Sequence, residues 1–131
     1  MRVNLSKIKH FNVFRREMIE RITNACVVSG THGCHIWQKA TSRGYGVIRF
    51  CVSEDDNGVK KYCTTSPHKL LCMLVHNVVE MPENLDISHI CGNKQCCNPQ
   101  HLRVETRRQN SFRCKCHTQK RRFGHIPRYI V

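Results

Sequence analysis

Acidic side chains are scarce in this chain of 131 residues, which holds 9 Asp and Glu against 22 Lys and Arg and has a formal net charge of +13 with histidine neutral. A chain this basic favours a polyanionic partner, either nucleic acid or an acidic membrane surface. Long apolar runs are also missing, since the longest, residues 70–75, is far shorter than the roughly 20 residues that span a bilayer. We therefore expect no membrane-spanning helix and no membrane partner.

A secretion signal is missing as well, because the N-terminal sequence MRVNLSKIKHFNVFRRE contains no apolar segment. We expect an intracellular protein that is not secreted, whose 10 cysteines are reduced thiols or metal ligands and not disulfides. Aromatic residues make up 7% of the chain and hydrophobic residues 40%, which allows a small core. Small cores commonly need a staple such as a bound metal. The length favours a single domain over residues 1–131.

Periodicity and turn signals predict a small α+β protein. Apolar side chains at helical spacing predict a helix over residues 8–22. Residues 45–52 alternate as a strand does, and a return strand over 59–64 completes a curved basic hairpin. The pair Asn57-Gly58 between them is a strong hairpin signal, because both residue types tolerate positive φ.

The second half of the chain predicts a helix, a strand and a loop. Ser66-Pro67 is typical of a helix start, and the apolar stripe that follows ends before Pro82. Residues 86–91 are short and β-branched, which indicates a strand, whereas residues 91–102 are loop-like. A capping box at Thr106–Gln109 predicts a second short helix.

Cysteine and histidine at short spacing in this loop form the strongest chemical signal. Cys91, Cys96 and His101 can fill three corners of a zinc tetrahedron. Cys34, which follows a glycine, is the best candidate for the fourth ligand, and Cys97 could exchange roles with Cys96. The alternative is a set of ordinary buried thiols, which the polar neighbours disfavour. Four protein ligands leave no open position, so this zinc is expected to be structural.

A second cluster lies further along the chain, and its spacing is tighter and less regular. It is a candidate second zinc site that consists of Cys114, Cys116, His117 and His125. Four other cysteines are interpreted as packing residues: Cys26, Cys51, Cys63 and Cys72. The helical histidines His68 and His76 are expected to have capping or core roles, although His68 could also reach the active region.

The segment SHICGNKQCCNPQHL at 88–102, followed by Asn110, resembles the His-Cys box homing endonucleases, which are ββα-metal (His-Me finger) nucleases related to the HNH enzymes. The upstream segments GCHIW at 33–37 and GYGV at 44–47 are similar to the zinc-binding part of that family, so the resemblance covers about 33–117. It implies that His89 is the general base and that Asn110 is the protein ligand of a catalytic divalent cation such as Mg²⁺. It also implies the first zinc site described above. Many HNH relatives have an acidic residue directly before the base, where this chain has Ser88.

The same resemblance implies a zinc-stabilised α+β fold with a curved antiparallel DNA-binding sheet and the activity of a site-specific double-strand DNA endonuclease of the intron-homing type. A short chain reads a limited site, so a homodimer on a pseudo-palindrome is expected, with residues 118–131 as a tail that reaches the partner subunit. Such a protein would be nuclear, or located wherever its target DNA resides. Two alternatives are a catalytically inactive zinc-dependent DNA-binding module and an RNA-binding zinc-knuckle protein.

Basic and aromatic side chains of the hairpin are the expected DNA contacts, because a two-stranded ribbon fits the major groove. They are Arg43, Tyr45, Arg49, Lys60, Lys61 and Tyr62. Arg107 and Arg108 are expected to contact phosphates, which sets affinity and not sequence preference. By position, Arg49 or Lys61 is the predicted cation near the scissile phosphate.

Overall fold

The structure, a computed structural model, describes residues 3–30, 33–82, 84–109 and 111–112. Its strands pair as antiparallel two-stranded sheets, so the predicted α+β class is confirmed. The elements in chain order are α1 (Phe11–Asn24), β1 (Cys26–Ser29), β2 (Cys34–Trp37), β3 (Thr41–Ser42), β4 (Tyr45–Gly46), β5 (Ile48–Glu54), β6 (Lys60–Thr65), α2 (Pro67–Val75), β7 (Leu85–His89), a 3₁₀ turn (Pro99–His101) and β8 (Leu102–Thr106). Across the described part of the chain, no helix is long and apolar enough to cross a membrane.

Helix α1 confirms the predicted amphipathic helix but begins three residues later than the predicted start at residue 8. His10 precedes it in the left-handed conformation, with φ 55° and ψ 53°, which no helical residue adopts. Met18 and Ile22 are buried, and the ring of Phe14 packs against Phe50 with 5.8 Å between centroids. The helix therefore covers one face of the hairpin formed by β5 and β6, called the central hairpin below.

The central hairpin is confirmed, but the predicted strand over 45–52 is divided. Tyr45–Gly46 pairs with β3 in a separate small hairpin, and β5 begins only at Ile48. The division occurs at Gly46, where an added Cβ would lie 2.8 Å from both Trp37 Cδ1 and Pro67 Cγ. Glycine lets the chain pass between these two side chains.

The turn of the central hairpin differs from the predicted two-residue form. Gly58 has φ 81°, whereas Asn57 does not adopt positive φ. The carboxylate of Asp55 accepts hydrogen bonds from the backbone N–H groups of Asn57 (2.9 Å) and Val59 (2.8 Å). A longer loop organised by an aspartate therefore replaces the tight turn.

Helix α2 occupies the centre of the molecule and begins as predicted, with Ser66 at the N-cap and Pro67 in the first turn. Leu70 and Leu74 have no exposed surface, and helix residues 67, 68 and 70–74 are buried. The helix ends at Val75, earlier than its apolar stripe predicts, because Asn77 is left-handed with φ 55°. Val3 and Leu5, which carried no sequence signal, complete the core.

Strand β7 confirms the predicted strand, and it pairs with β8, which the sequence did not predict. The register runs from Leu85 opposite Thr106 to His89 opposite Leu102. The capping box is also confirmed: Thr106 N–H donates to Gln109 Oε1 (3.0 Å), and Gln109 N–H donates to Thr106 Oγ1 (3.2 Å). Residues 107–109 and 111–112 are helical.

Candidate zinc centre and histidine pair

The four predicted zinc ligands converge. One ligand atom from each of Cys34, Cys91, Cys96 and His101 lies within 4.8 Å of all the others. The Sγ atoms of Cys34 and Cys96 are each 3.5 Å from His101 Nδ1. Tetrahedral zinc bonds of about 2.3 Å to sulfur and 2.0–2.1 Å to nitrogen separate the two atoms by roughly 3.5 Å. The donor set therefore fits a structural zinc ion, with three sulfurs and one nitrogen as ligands.

The loop of residues 91–101, called the zinc loop below, is attached to strand β2 by hydrogen bonds. Cys97 N–H donates to His35 O (2.7 Å), and Trp37 N–H donates to Gln95 O (3.0 Å). The side chain of Asn98 donates to Gly33 O (2.8 Å) and accepts from Gln100 N–H (3.0 Å). These bonds fix the loop ligands relative to Cys34, which lies on β2.

Cys96 and Cys97, whose roles could not be separated from the sequence, point to different partners. Cys96 is fully buried in the ligand set, and the thiol of Cys97 contacts Cys26. The hydrogen bond from the Cys91 thiol holds the pKa of Cys96 at about 4, well below its usual value, and raises the pKa of Cys91. Burial raises the pKa of Cys97. Cys96 is thus the member of this pair that belongs to the ligand set, and Cys97 is not.

His89, the predicted general base, lies at the end of β7, two residues before the first zinc-loop ligand. The side chain is buried, and its Nε2 has no hydrogen-bond partner among the described residues. Burial lowers the pKa of His89, so the ring is neutral at pH 7. An interaction of the ring with the backbone of Cys96 raises its pKa and so opposes the effect of burial.

His68, on the first turn of α2, contacts the ring of His89 with 4.1 Å between centroids. Burial, followed by the nearby His89, lowers the pKa of His68 to about 3, and a hydrogen bond with the Ile87 backbone partly opposes the shift. The residue is buried, as expected for a core histidine, and it also reaches the candidate base. Helix periodicity alone could not show this contact, because it depends on how α2 packs on β7.

Tyr45 lies over both histidines, with its ring centroid 6.0 Å from that of His68 and 6.2 Å from that of His89. The preceding turn holds it there, with Arg43 at φ 53° and Gly44 at φ 83°, as in a type I′ hairpin. Tyr45 is 38% exposed, so its side chain remains partly open to solvent.

The family described as the zinc-binding loop region of homing endonuclease matches residues 33–128, the segment that contains the zinc ligands and the histidine pair. This chain belongs to that family. The predicted resemblance to the homing endonucleases is therefore confirmed. The family match begins one residue before Cys34 and extends past the predicted limit at residue 117.

A phage protein is also similar to this homing-endonuclease family member. Protein 2.8 of Escherichia phage T7 is 31% identical over 97 residues, which cover 72% of this chain and 58% of the phage protein. The match thus spans little more than half the length of that relative. No solved structure matches the chain.

Of the predicted DNA contacts of this family member, Arg43 and Tyr45 belong to the separate β3–β4 hairpin, and the others on strands divide between the two faces of the central hairpin. The guanidinium of Arg49 lies 4.1 Å from the ring centroid of Tyr62 on the outer face. Strand alternation places Lys60 on the face of Tyr62 and Lys61 on the face of the buried Cys63. The hairpin thus presents a stacked arginine and tyrosine to solvent.

Outside the hairpin, Arg107 pairs with Asp86, with 3.9 Å between Nε and the carboxylate, while Arg108 lies exposed on the helical stretch after β8. Arg43 occupies the tip of the β3–β4 turn. Several predicted residues fall outside the described ones and stay predictions: Asn110, Cys114, Cys116, His117, His125 and the tail at 118–131.

Proposed function

We propose that this protein is a metal-dependent endonuclease that hydrolyses phosphodiester bonds in double-stranded DNA, with His89 as the general base. One observation supports this role above the others. The Nε2 of His89 is buried and has no hydrogen-bond partner within the described residues, beside a preorganised zinc loop. A neutral imidazole with an available lone pair can take a proton from water near neutral pH.

In the proposed reaction, the water oxygen bonds to phosphorus while the bond from phosphorus to the 3′ oxygen breaks. The water proton passes to His89 Nε2, and the departing 3′ oxygen takes a proton from solvent. Zinc leaves no open coordination position, so its role is to hold the zinc loop and not to activate water. Since errors on the order of 1 Å impair such placement, the fixed loop is part of the catalytic machinery.

Asn110 is the proposed protein ligand of a catalytic divalent cation, Mg²⁺ by preference. When bound, such a cation polarises the phosphate and stabilises the charge on the leaving oxygen. An amide is a weak neutral ligand, so phosphate and water would complete the coordination. Poor cation affinity without DNA and tolerance of other divalent ions are expected.

The exposed face of the central hairpin is the proposed groove-reading surface, with Arg49 and Tyr62 at its centre. Lys60 extends the charge of this face, Lys61 and Arg43 are proposed to add charge beside it, and Arg107 and Arg108 are proposed to supply phosphate contacts. Two copies on a pseudo-palindromic site would place one active site on each strand, which is the arrangement proposed for homing-type cleavage. If 6–10 phosphates are neutralised, affinity should fall by about 10³–10⁵ between 50 and 200 mM salt.

The test is nicking of supercoiled plasmid DNA in the presence of Mg²⁺. Wild type is expected to nick and His89→Ala to be inactive, because the variant lacks the group proposed to take the water proton. His76→Gln, a change at an exposed histidine, is the matched control and should nick like wild type.

Equal nicking by wild type and His89→Ala would remove His89 from the mechanism. Duplex binding without nicking by wild type would favour the inactive DNA-binding module. Stronger competition by single strands than by duplex would favour the RNA-binding alternative.

A further inference from the structure

We propose that Lys94 supplies the positive charge that contacts the phosphate being cleaved, an inference that rests on the nuclease function proposed above. Lys94 is an exposed residue of the zinc loop, between the ligands Cys91 and Cys96. Its ammonium nitrogen lies 5.1 Å from the ring centroid of Tyr45, and the Tyr45 ring in turn faces His89. The zinc loop thus carries a cation to the tyrosine ring that lies over the histidine pair.

Two contacts direct the Lys94 side chain toward this position. Its stem passes Gly44, where an added Cβ would lie 3.5 Å from Lys94 Cδ. Its ammonium then lies against the ring of Tyr45. Both contacts come from the β3–β4 hairpin, so a loop otherwise devoted to zinc is connected to the strand pair that covers the histidines.

The contact with Tyr45 can be exchanged for a phosphate. An exposed cation–π contact is weak, and the ammonium has three donors on a flexible four-carbon stem. Negative charge builds on the phosphate as the water oxygen bonds to phosphorus and the bond to the 3′ oxygen breaks. A cation at that point stabilises the charged transition state while His89 holds the water proton.

Arg49 and Lys61, the cations predicted for this role from their position in the sequence, are attached to the central hairpin. The guanidinium of Arg49 already stacks on Tyr62, on the outer face. We assign these two residues to DNA contacts. Lys94 is the cation that the ring contacts connect to His89.

The experiment measures single-turnover nicking of supercoiled plasmid by excess protein with Mg²⁺, together with zinc content and duplex affinity. At saturating protein, Lys94→Met is expected to lower the rate about 10- to 100-fold. Removal of a rigid, preorganised donor commonly lowers the rate by about 10²–10³. The loss expected for Lys94 is at or below that range because Lys94 is exposed. Lys94→Arg should restore most of the rate. Lys7→Met removes the same charge from an exposed site near the N-terminus and should keep the wild-type rate.

A Lys94→Met protein with the wild-type rate at saturation and only weaker DNA affinity would overturn the inference. Loss of zinc by Lys94→Met would also overturn it, because the lysine would then be a structural part of the loop. If wild type and the His89 variant nick equally, or neither nicks, the proposed function fails and this inference fails with it. If the His89 variant loses nicking and Lys94→Met keeps the wild-type rate, the proposed nuclease function is supported and the role of Lys94 is excluded.

Discussion

The rings of His68 and the candidate base His89 are in contact, with 4.1 Å between their centroids. Both are buried, and burial lowers both pKa values. A protonated His68 would repel the charge that His89 acquires when it accepts a proton. Because His68 stays neutral, it packs against the candidate base without adding a positive charge that would lower the pKa of His89 further.

The buried His68 predicts a pH-dependent stability. Its pKa is about 3 in the folded protein and about 6.5 when unfolded, so only the unfolded chain binds the proton between these values. The contribution of the neutral His68 to the free energy of unfolding is therefore complete above about pH 6.5. As pH falls from there toward 3, the free energy of unfolding decreases by up to about 1.4 kcal/mol per pH unit.

Urea unfolding of wild type and His68→Phe across this pH range checks the prediction. The difference in unfolding free energy between the two proteins should change with the stated slope, because the variant lacks the titrating ring. A constant difference would show that His68 is charged in the fold or already exposed.

The zinc loop is held to β2 in two ways, by backbone hydrogen bonds and by the shared zinc ligand set. Asn98 is its central residue, since one side chain caps the 3₁₀ turn through Gln100 N–H and binds Gly33 O. The side chain of Asn93 makes a local bond, in which it accepts from Gln95 N–H (3.0 Å). The side chain of Asn98 therefore joins the zinc loop to a distant segment, whereas that of Asn93 bonds within the loop.

Asn98→Ala is expected to lower the unfolding free energy by about 1–3 kcal/mol, because it leaves Gly33 O and Gln100 N–H without their partner. Asn93→Ala, the matched control, should cost about 0.5 kcal/mol or less. Denaturation at fixed zinc and competition with a zinc chelator measure the two effects. Similar values for both variants would contradict the central role of Asn98.

The molecule as a whole is assembled from two-stranded sheets, each of which is marginal when isolated. Helix α2 supplies much of the buried core, and the zinc ligands join β2 to the segment between β7 and β8. Zinc would therefore connect two parts of the chain that are far apart in sequence. Zinc would act together with the pairing of β7 with β8 and the hydrogen bonds of the zinc loop to β2 to hold the candidate base in place.

Removal of zinc is expected to unfold the protein, because metal binding and folding are coupled in such sites. Metal analysis should find at least one zinc per chain, and Cys96→Ser should lose that zinc and unfold. Cys97→Ser, the neighbouring control, should retain zinc because Cys97 faces Cys26. A zinc-free wild-type protein that stays folded, observed by circular dichroism after chelation, would refute the proposed role of the metal.

Local chemistry was readable from the sequence. The zinc ligands were identifiable because thiolates and imidazole at this spacing have few other uses, and the capping box because its hydrogen bonds span three residues. The central hairpin followed from alternation, although Asp55 and not Asn57 organises its turn. Tertiary packing decided what depends on distant partners: the pairing of β8, the burial of Val3 and Leu5, and the division of labour between Cys96 and Cys97.

Tertiary packing also decided the contact of His68 with His89 and the contact of Lys94 with Tyr45. Spacing along a chain determines which groups one element presents, because helix and strand geometry repeat locally. It does not determine which elements pack together, since that depends on long-range burial and pairing. The sequence alone therefore predicted the zinc ligands, whereas only the tertiary structure decided which side chains surround the candidate base.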